Sequence, residues 1–190
     1  MYRYDTEIIV SGCGGDVSCP FFSPDDQLFV TLTNSGNVMR VRDDRLYRSY
    51  SSGGVLSGAA FDTARDLLYA ADMARGAILG LHDDTQDVIV SEYEDKPLKG
   101  PHSIACARDG TVYFTDSGPM GTTGLHSPTG SVFAITSDSL GQHLLRPLAY
   151  ECLAHPAGIA LSPNEKIVYV AEMLQNRVSL FSSPLINHNV

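Results

Sequence analysis

The sequence predicts an all-β fold, a β-propeller with four recognisable blades, and three observations carry that prediction. The stretch His155–Phe181, HPAGIALSPNEKIVYVAEMLQNRVSLF, reads as three short strands joined by two turns, and three looser copies of it precede it. The copies are Ser18–Val41, Gly58–Leu81 and Ser103–Asp116, the last resuming at Gly130 with GSVFAI. Their central aromatics Phe29, Tyr69, Tyr113 and Tyr169 are 40, 44 and 56 residues apart, and removing the segment Pro119–Gly130 restores a period of about 40–45, that of propeller blades. The second strand of each copy is apolar on both faces, as in Ile167–Ala171, so both faces must be covered. A β-sandwich is the competing architecture, but it leaves the repeated GIA…Y(V/F)(A/T)(D/E) pattern unexplained.

Taken in order, Met1–Asp5 and Glu7–Val10 read as strand-like pieces before the turn SGCGG. Blade one, near 18–52, has an inner strand at Cys19–Ser23, a Pro24-Asp25-Asp26 turn, strands at Leu28–Leu32 and Val38–Val41, and a polar outer strand Leu46–Tyr50. Blade two, near 56–95, repeats the order with an outer strand at Val88–Val90. Blade three, near 100–150, opens at Gly100-Pro101-His102, carries the insertion, and ends with a strand around His143–Leu148. Blade four, near 155–190, supplies three strands, its fourth being absent or the weak tail Leu185–Val190. No amphipathic helix is expected, since Pro147 interrupts the one candidate, Leu140–Leu153.

Composition narrows the function classes. A net charge of −9 with no run of five basic residues argues against a nucleic-acid partner. No apolar stretch approaches membrane-spanning length and the N-terminus lacks a signal-peptide pattern, so the expectation is a cytoplasmic protein without a membrane partner. Cys13, Cys19, Cys106 and Cys152 fit no zinc spacing; Cys106 reads as a small core residue, and Cys13 and Cys19 would pair only in an oxidising compartment.

Candidate site residues follow from strand direction. The first two strands of a blade are antiparallel, so the start of one and the end of the other share a rim. That places His102 with Asp116, His155 with Glu172, and Asp72 at the matching place in blade two. Propellers bind ligands at such rims, and two histidines and three carboxylates there can hold a divalent ion or act as acid and base. The competing reading is structural, with each carboxylate accepting hydrogen bonds from amides of the turn that follows it. Blade one has Leu32 there, so the fold does not require a carboxylate. His82, His126, His143 and His188 read as loop or surface residues, and Ser103 and Ser117 have no GxSxG setting.

The stretches GPHSIACARDGTVYFTDSG and HPAGIALSPNEKIVYVAEMLQNRV resemble the SMP-30/gluconolactonase group and the related strictosidine synthase-like proteins. The resemblance implies a six-bladed propeller of four-stranded blades, of which this sequence would hold four and lack about two after Val190. In the metal-dependent members a Glu of the first blade and Asn residues opening inner strands bind a divalent cation, commonly calcium, together with an Asp on a later blade. Those positions fall near Ser18, on His102 and on Ala157, and the last falls beyond residue 190. The expectation is therefore no tight metal site and no cofactor.

Two functional readings follow. One is a non-catalytic or degenerate propeller that binds a small ligand or a protein at its rim. The other is a lactone or ester hydrolase of this superfamily with a non-standard site at His102 or His155. Self-association through the open blade faces is expected in either case.

Overall fold

In the computed structural model, residues 6–82, 85–138 and 140–183 are described. They form seventeen strands, and four antiparallel sheets make four blades. Blade one comprises β1 (Val17–Phe22), β2 (Leu28–Leu32), β3 (Asn37–Arg42) and β4 (Arg45–Ser51). Blade two comprises β5 (Leu56–Asp62), β6 (Leu67–Asp72), β7 (Ala77–Leu81) and β8 (Gln86–Val90). A two-stranded ribbon follows, β9 (Glu92–Tyr93) with β10 (Lys96–Pro97). Blade three comprises β11 (Pro101–Cys106), β12 (Val112–Asp116), β13 (Gly130–Ser137) and β14 (His143–Leu153). Blade four comprises β15 (Pro156–Leu161), β16 (Ile167–Glu172) and β17 (Arg177–Ser182). The sheets are up-and-down meanders, and the inner strands β1, β5, β11 and β15 pack in series.

The core lies between blades rather than within them, which is why the second strands are apolar on both sides. Phe29, Val38, Leu68 and Leu79 fill the seam between blades one and two, with Phe21 stacked on Phe29. Tyr69, Ile78, Val112, Phe114 and Phe133 fill the next seam. Tyr113, Val132, Val168 and Val170 fill the third. The second strands of blades two and three therefore send alternate residues to their two neighbouring blades.

The tight turns follow local chemistry. In blade one a 3-10 turn at Thr33–Ser35 closes on Gly36, and in blade four Met173–Gln175 closes on Asn176, both in the left-handed conformation those residues tolerate.

Several expectations are corrected. Glu7–Val10 forms no strand and pairs with no sheet edge, and Ile8 and Ile9 are exposed. The adjoining residues Val10–Cys13 instead run beside Met39 and Leu46 of blade one. Among the described residues β17 pairs with β16 alone, and no ladder joins blade four to the N-terminal segment. The strand pieces read at Met1–Asp5 and Leu185–Val190, and His188, lie outside the described residues.

The outer strand β14 is longer than expected and passes through Pro147. As the sheet's edge it can give up one amide, and register shifts around Val132 and Phe133 absorb the ring. The β9–β10 ribbon was not foreseen; it sets Tyr93 against Phe133 and Tyr150 at the outer end of blade three. All four cysteines are free, so Cys13 and Cys19 are not paired. Burial pushes the Cys106 thiol up to about 12, and its side chain packs against the second seam. No helix among the described residues is long and apolar enough to cross a membrane.

Candidate functional site

The rim is built from one repeated junction. Val17 faces Leu32, Leu56 faces Asp72, Pro101 faces Asp116, and Pro156 faces Glu172. The expected pairings of His102 with Asp116 and of His155 with Glu172 at common blade ends therefore hold as positions. Just inside each junction the inner strand has a bulge, at Ser18/Phe21, Leu56/Gly58, Pro101/Ile104 and Pro156/Gly158. A bulge re-aims a side chain, and here it turns one sideways toward the next blade. Cys19 Sγ donates to the Ala59 carbonyl at 3.5 Å, Ser57 Oγ to the Pro101 carbonyl at 2.8 Å, and His102 Nδ1 to the Ala157 carbonyl at 2.8 Å. The same place in blade four is Ala157, which has no group to donate. His102 is thus the third member of a row of struts across the inner rim.

The three carboxylates are bound to their own surroundings. Asp116 accepts from the Lys99 and Gly100 amides at 3.1 and 2.8 Å. Asp72 accepts from the Val55 and Arg75 amides at 3.3 and 3.1 Å. Glu172 accepts from the Ala154 amide at 3.2 Å, from Arg177 Nε at 2.7 Å and from Ser179 Oγ at 2.6 Å. All three are buried. Most of these amides belong to the loop entering the inner strand; only Arg75 belongs to the following turn, where all were expected. Burial raises the Asp116 carboxyl above its ordinary range, and the Lys99 and Gly100 amides hold it back only in part. Burial also pushes Glu172 up, but Arg177, Ser179 and the Ala154 amide outweigh it and leave that carboxyl below its ordinary range.

The histidines are different. His155 is 3% exposed, sits in the left-handed region at φ 56°, and its ring stands 6.0 Å from that of His102 at 72°. Because a carbonyl accepts from His102 Nδ1, the proton is assigned to that nitrogen and Nε2 keeps its lone pair. Burial lowers the His102 pKa, with the Ala157 bond acting against it. Burial and then the neighbouring His102 lower that of His155. Both shifts favour the neutral ring. His155 Nδ1 and Ser117 Oγ are buried with no hydrogen-bond partner among the described residues.

Ser117 belongs to the same seam. Asp116 faces Ser131, so Ser117 lies across from Gly130, and a Cβ on Gly130 would stand 2.3 Å from Pro156 Cδ. Sequence reasoning set Ser117 aside for want of a motif. Its alternation with Tyr113 and Thr115, on the side of β12 that meets blade four, was the available signal. His82, His126 and His143 are exposed, as expected.

The donors of the divalent cation implied by the resemblance do not gather here. His102 spends Nδ1 on the Ala157 carbonyl, the Ala157 side chain has no ligand atom, and the carboxylates hold amides. Among the described residues no three His, Cys, Asp or Glu side chains stand together in a metal-binding group.

Four antiparallel blades packed in series, with an inner rim of struts and buried carboxylates, define a β-propeller. The chain belongs to the SMP-30/Gluconolactonase/LRE-like region family, whose profile matches residues 17–187. It is 27% identical over 158 residues to a gluconolactonase of Zymomonas mobilis subsp. mobilis, a match covering 79% of this chain and 41% of that protein. In fold it is similar to a gluconolactonase of Xanthomonas campestris, at TM-score 0.72 and 24% identity, covering 86% of this chain and 56% of that one. It is also similar to a virginiamycin B lyase of Staphylococcus aureus, at TM-score 0.62 and 16% identity, covering 94% and 58%. The chain thus spans about half the length of these proteins.

Proposed function

We propose that this chain is part of a lactonase-type hydrolase in which His102 serves as general base. The observation that carries the reading is the 2.8 Å bond from His102 Nδ1 to the Ala157 carbonyl. It fixes the ring and its tautomer and leaves Nε2 as a base, whose neutral form burial favours by lowering its pKa. In this reading Nε2 takes a proton from water as the water oxygen attacks the lactone carbonyl. The ring C–O bond then breaks, the imidazolium returns the proton to the departing oxygen, and the product is a hydroxy acid. His155, with its proton on Nε2, donates to the carbonyl oxygen as charge builds there. The family membership and the gluconolactonase relative support the substrate class.

Turnover of a panel of lactones against pH tests this. The expected kcat/KM rises through an apparent pKa below 6.5, the ordinary histidine value, and is flat at neutral pH. His102→Ala should lower it by about 10²–10⁴-fold. A second reading, a rim that binds without catalysis, is favoured by the three carboxylates being committed to backbone amides. Lactones that protect the chain against thermal unfolding, with no turnover at any pH, would establish that reading and remove the hydrolase.

A further inference from the structure

Two polar atoms in the seam between blades three and four are left without partners. Ser117 is 0% and His155 3% exposed, and neither Ser117 Oγ nor His155 Nδ1 has a hydrogen-bond partner among the described residues. Buried polar groups are almost always paired, so two orphans in one seam call for a common explanation.

Their places in the fold bring them together. In blade three the sheet order is β11-β12-β13, and Ser117 follows directly on β12, between His102 of β11 and Gly130 of β13. Pro156 lies against Gly130, where a Cβ would meet its Cδ at 2.3 Å, and the His155 ring stands 6.0 Å from the His102 ring. The ring of His155 therefore runs from the β13 side of the blade toward β11, across the end of β12. Ser117 alternates with Tyr113, which packs toward blade four, so its hydroxyl is on the side from which that ring approaches. Both neighbours of Ser117 are tied to the loop entering β11. The Asp116 carboxylate accepts from the Lys99 and Gly100 amides, and the Gly118 amide donates to the Gly100 carbonyl at 3.0 Å. The backbone is thus fixed and only the Ser117 side chain can turn.

Their chemistry is complementary, since a hydroxyl donates one hydrogen bond and an unprotonated Nδ1 accepts one. We propose that Ser117 is a positioning residue for His155, its hydroxyl donating to Nδ1, directly or through one buried water, and so holding the ring proton on Nε2. The role rests on the hydrolase reading above, in which His155 Nε2 donates to the lactone carbonyl oxygen. The two histidines then have opposite polarity. His102 gives its Nδ1 proton to a carbonyl and presents a lone pair, whereas His155 accepts at Nδ1 and presents a proton. Addition of water to a carbonyl uses one group of each kind.

The tautomer of His155 is read by ¹⁵N NMR of histidine-labelled protein without substrate, so the measurement stands apart from turnover. His155→Gln identifies the signals by their loss. The wild-type ring should carry its proton on Nε2. Ser117→Ala should move the ring to a mixture of tautomers or to Nδ1–H. It should also lower kcat on a lactone substrate by about 10–100-fold with KM little changed, as when a group orienting a ligand histidine is removed. Ser117→Thr keeps the hydroxyl and should restore both readouts. Ser131→Ala removes a buried hydroxyl on β13 that accepts from the Glu151 amide, and should leave both as in the wild type. Circular dichroism reports folding, and if Ser117→Ala is unfolded, Ser117→Cys, of similar size and a weaker donor, carries the test. A wild-type ring protonated on Nδ1, an unchanged tautomer in Ser117→Ala, or an equal shift in Ser131→Ala would each overturn the proposal. A shifted tautomer in Ser117→Ala with no lactone turned over would uphold the Ser117–His155 bond and remove the hydrolase reading instead.

Discussion

At the scale of single residues, Asp116 and Glu172 look interchangeable in sequence and behave oppositely. Folding holds the Glu172 carboxyl below its ordinary 4.5, so its contribution is complete above that value and is lost as pH falls through the folded value. Folding holds Asp116 above its ordinary 3.8, so its ionised form costs stability at neutral pH and protonation relieves the cost as pH falls. Urea midpoints at pH 7 and pH 4 should separate the two. Glu172→Gln should lower stability at pH 7 by about 1–3 kcal/mol, by unpairing Arg177 and the Ala154 amide. It should also shrink the loss between the two pH values, whereas Asp116→Asn should enlarge it. Equal pH responses of both variants and the wild type would contradict the assignment.

At the scale of the strand, the bulge near the start of each inner strand couples neighbouring blades. Gly58 in blade two and Gly158 in blade four follow that bulge at matching places. A Cβ on Gly58 would stand 2.5 Å from the His102 carbonyl oxygen of the next blade. At Gly158 the nearest atom is Ala171 Cβ of its own blade, at an ordinary 3.4 Å. Gly58→Ala should therefore destabilise the fold by about 1–3 kcal/mol through overpacking, and Gly158→Ala should be close to neutral in thermal melts. Ser57→Ala should cost about 1 kcal/mol, because it removes the strut to the Pro101 carbonyl without opening a large cavity. Matching losses at Gly58 and Gly158 would show that the seam between blades is not what distinguishes them.

At the scale of the molecule, a series of blades is stabilised chiefly by nearest-neighbour seams. Blade two has a seam on both sides, as does blade three, and blade four has one. Hydrogen exchange at low protein concentration should follow that order. Amides of β6 and β12, whose side chains are almost wholly buried, should exchange slowest, and those of β17, exposed at alternate residues, fastest. Uniform protection from β6 to β17 would mean that the four blades open as one unit.

Much of this architecture was legible in the chain itself. The recurrence of Phe29, Tyr69, Tyr113 and Tyr169 placed the four blades, and the two-sided apolar runs required both faces to be covered. Antiparallel direction alone put His102 at the same blade end as Asp116, and His155 at the same end as Glu172. Those are local properties, set by a period along one strand and by the short turn to the next. What each rim residue does was decided only by tertiary structure. The partner of His102 Nδ1 is the carbonyl of Ala157, 55 residues away on another blade, reached because a bulge swings the ring sideways. The carboxylates found their amides in loops 16 to 18 residues earlier, at distances no side-chain pattern encodes. Glu7–Val10 has strand-forming residues and remains unpaired, because a strand forms only where the fold lays the segment alongside an open edge. A hydrogen-bond partner or sheet edge on a neighbouring blade is a property of three-dimensional proximity, so only the assembled blades could set it.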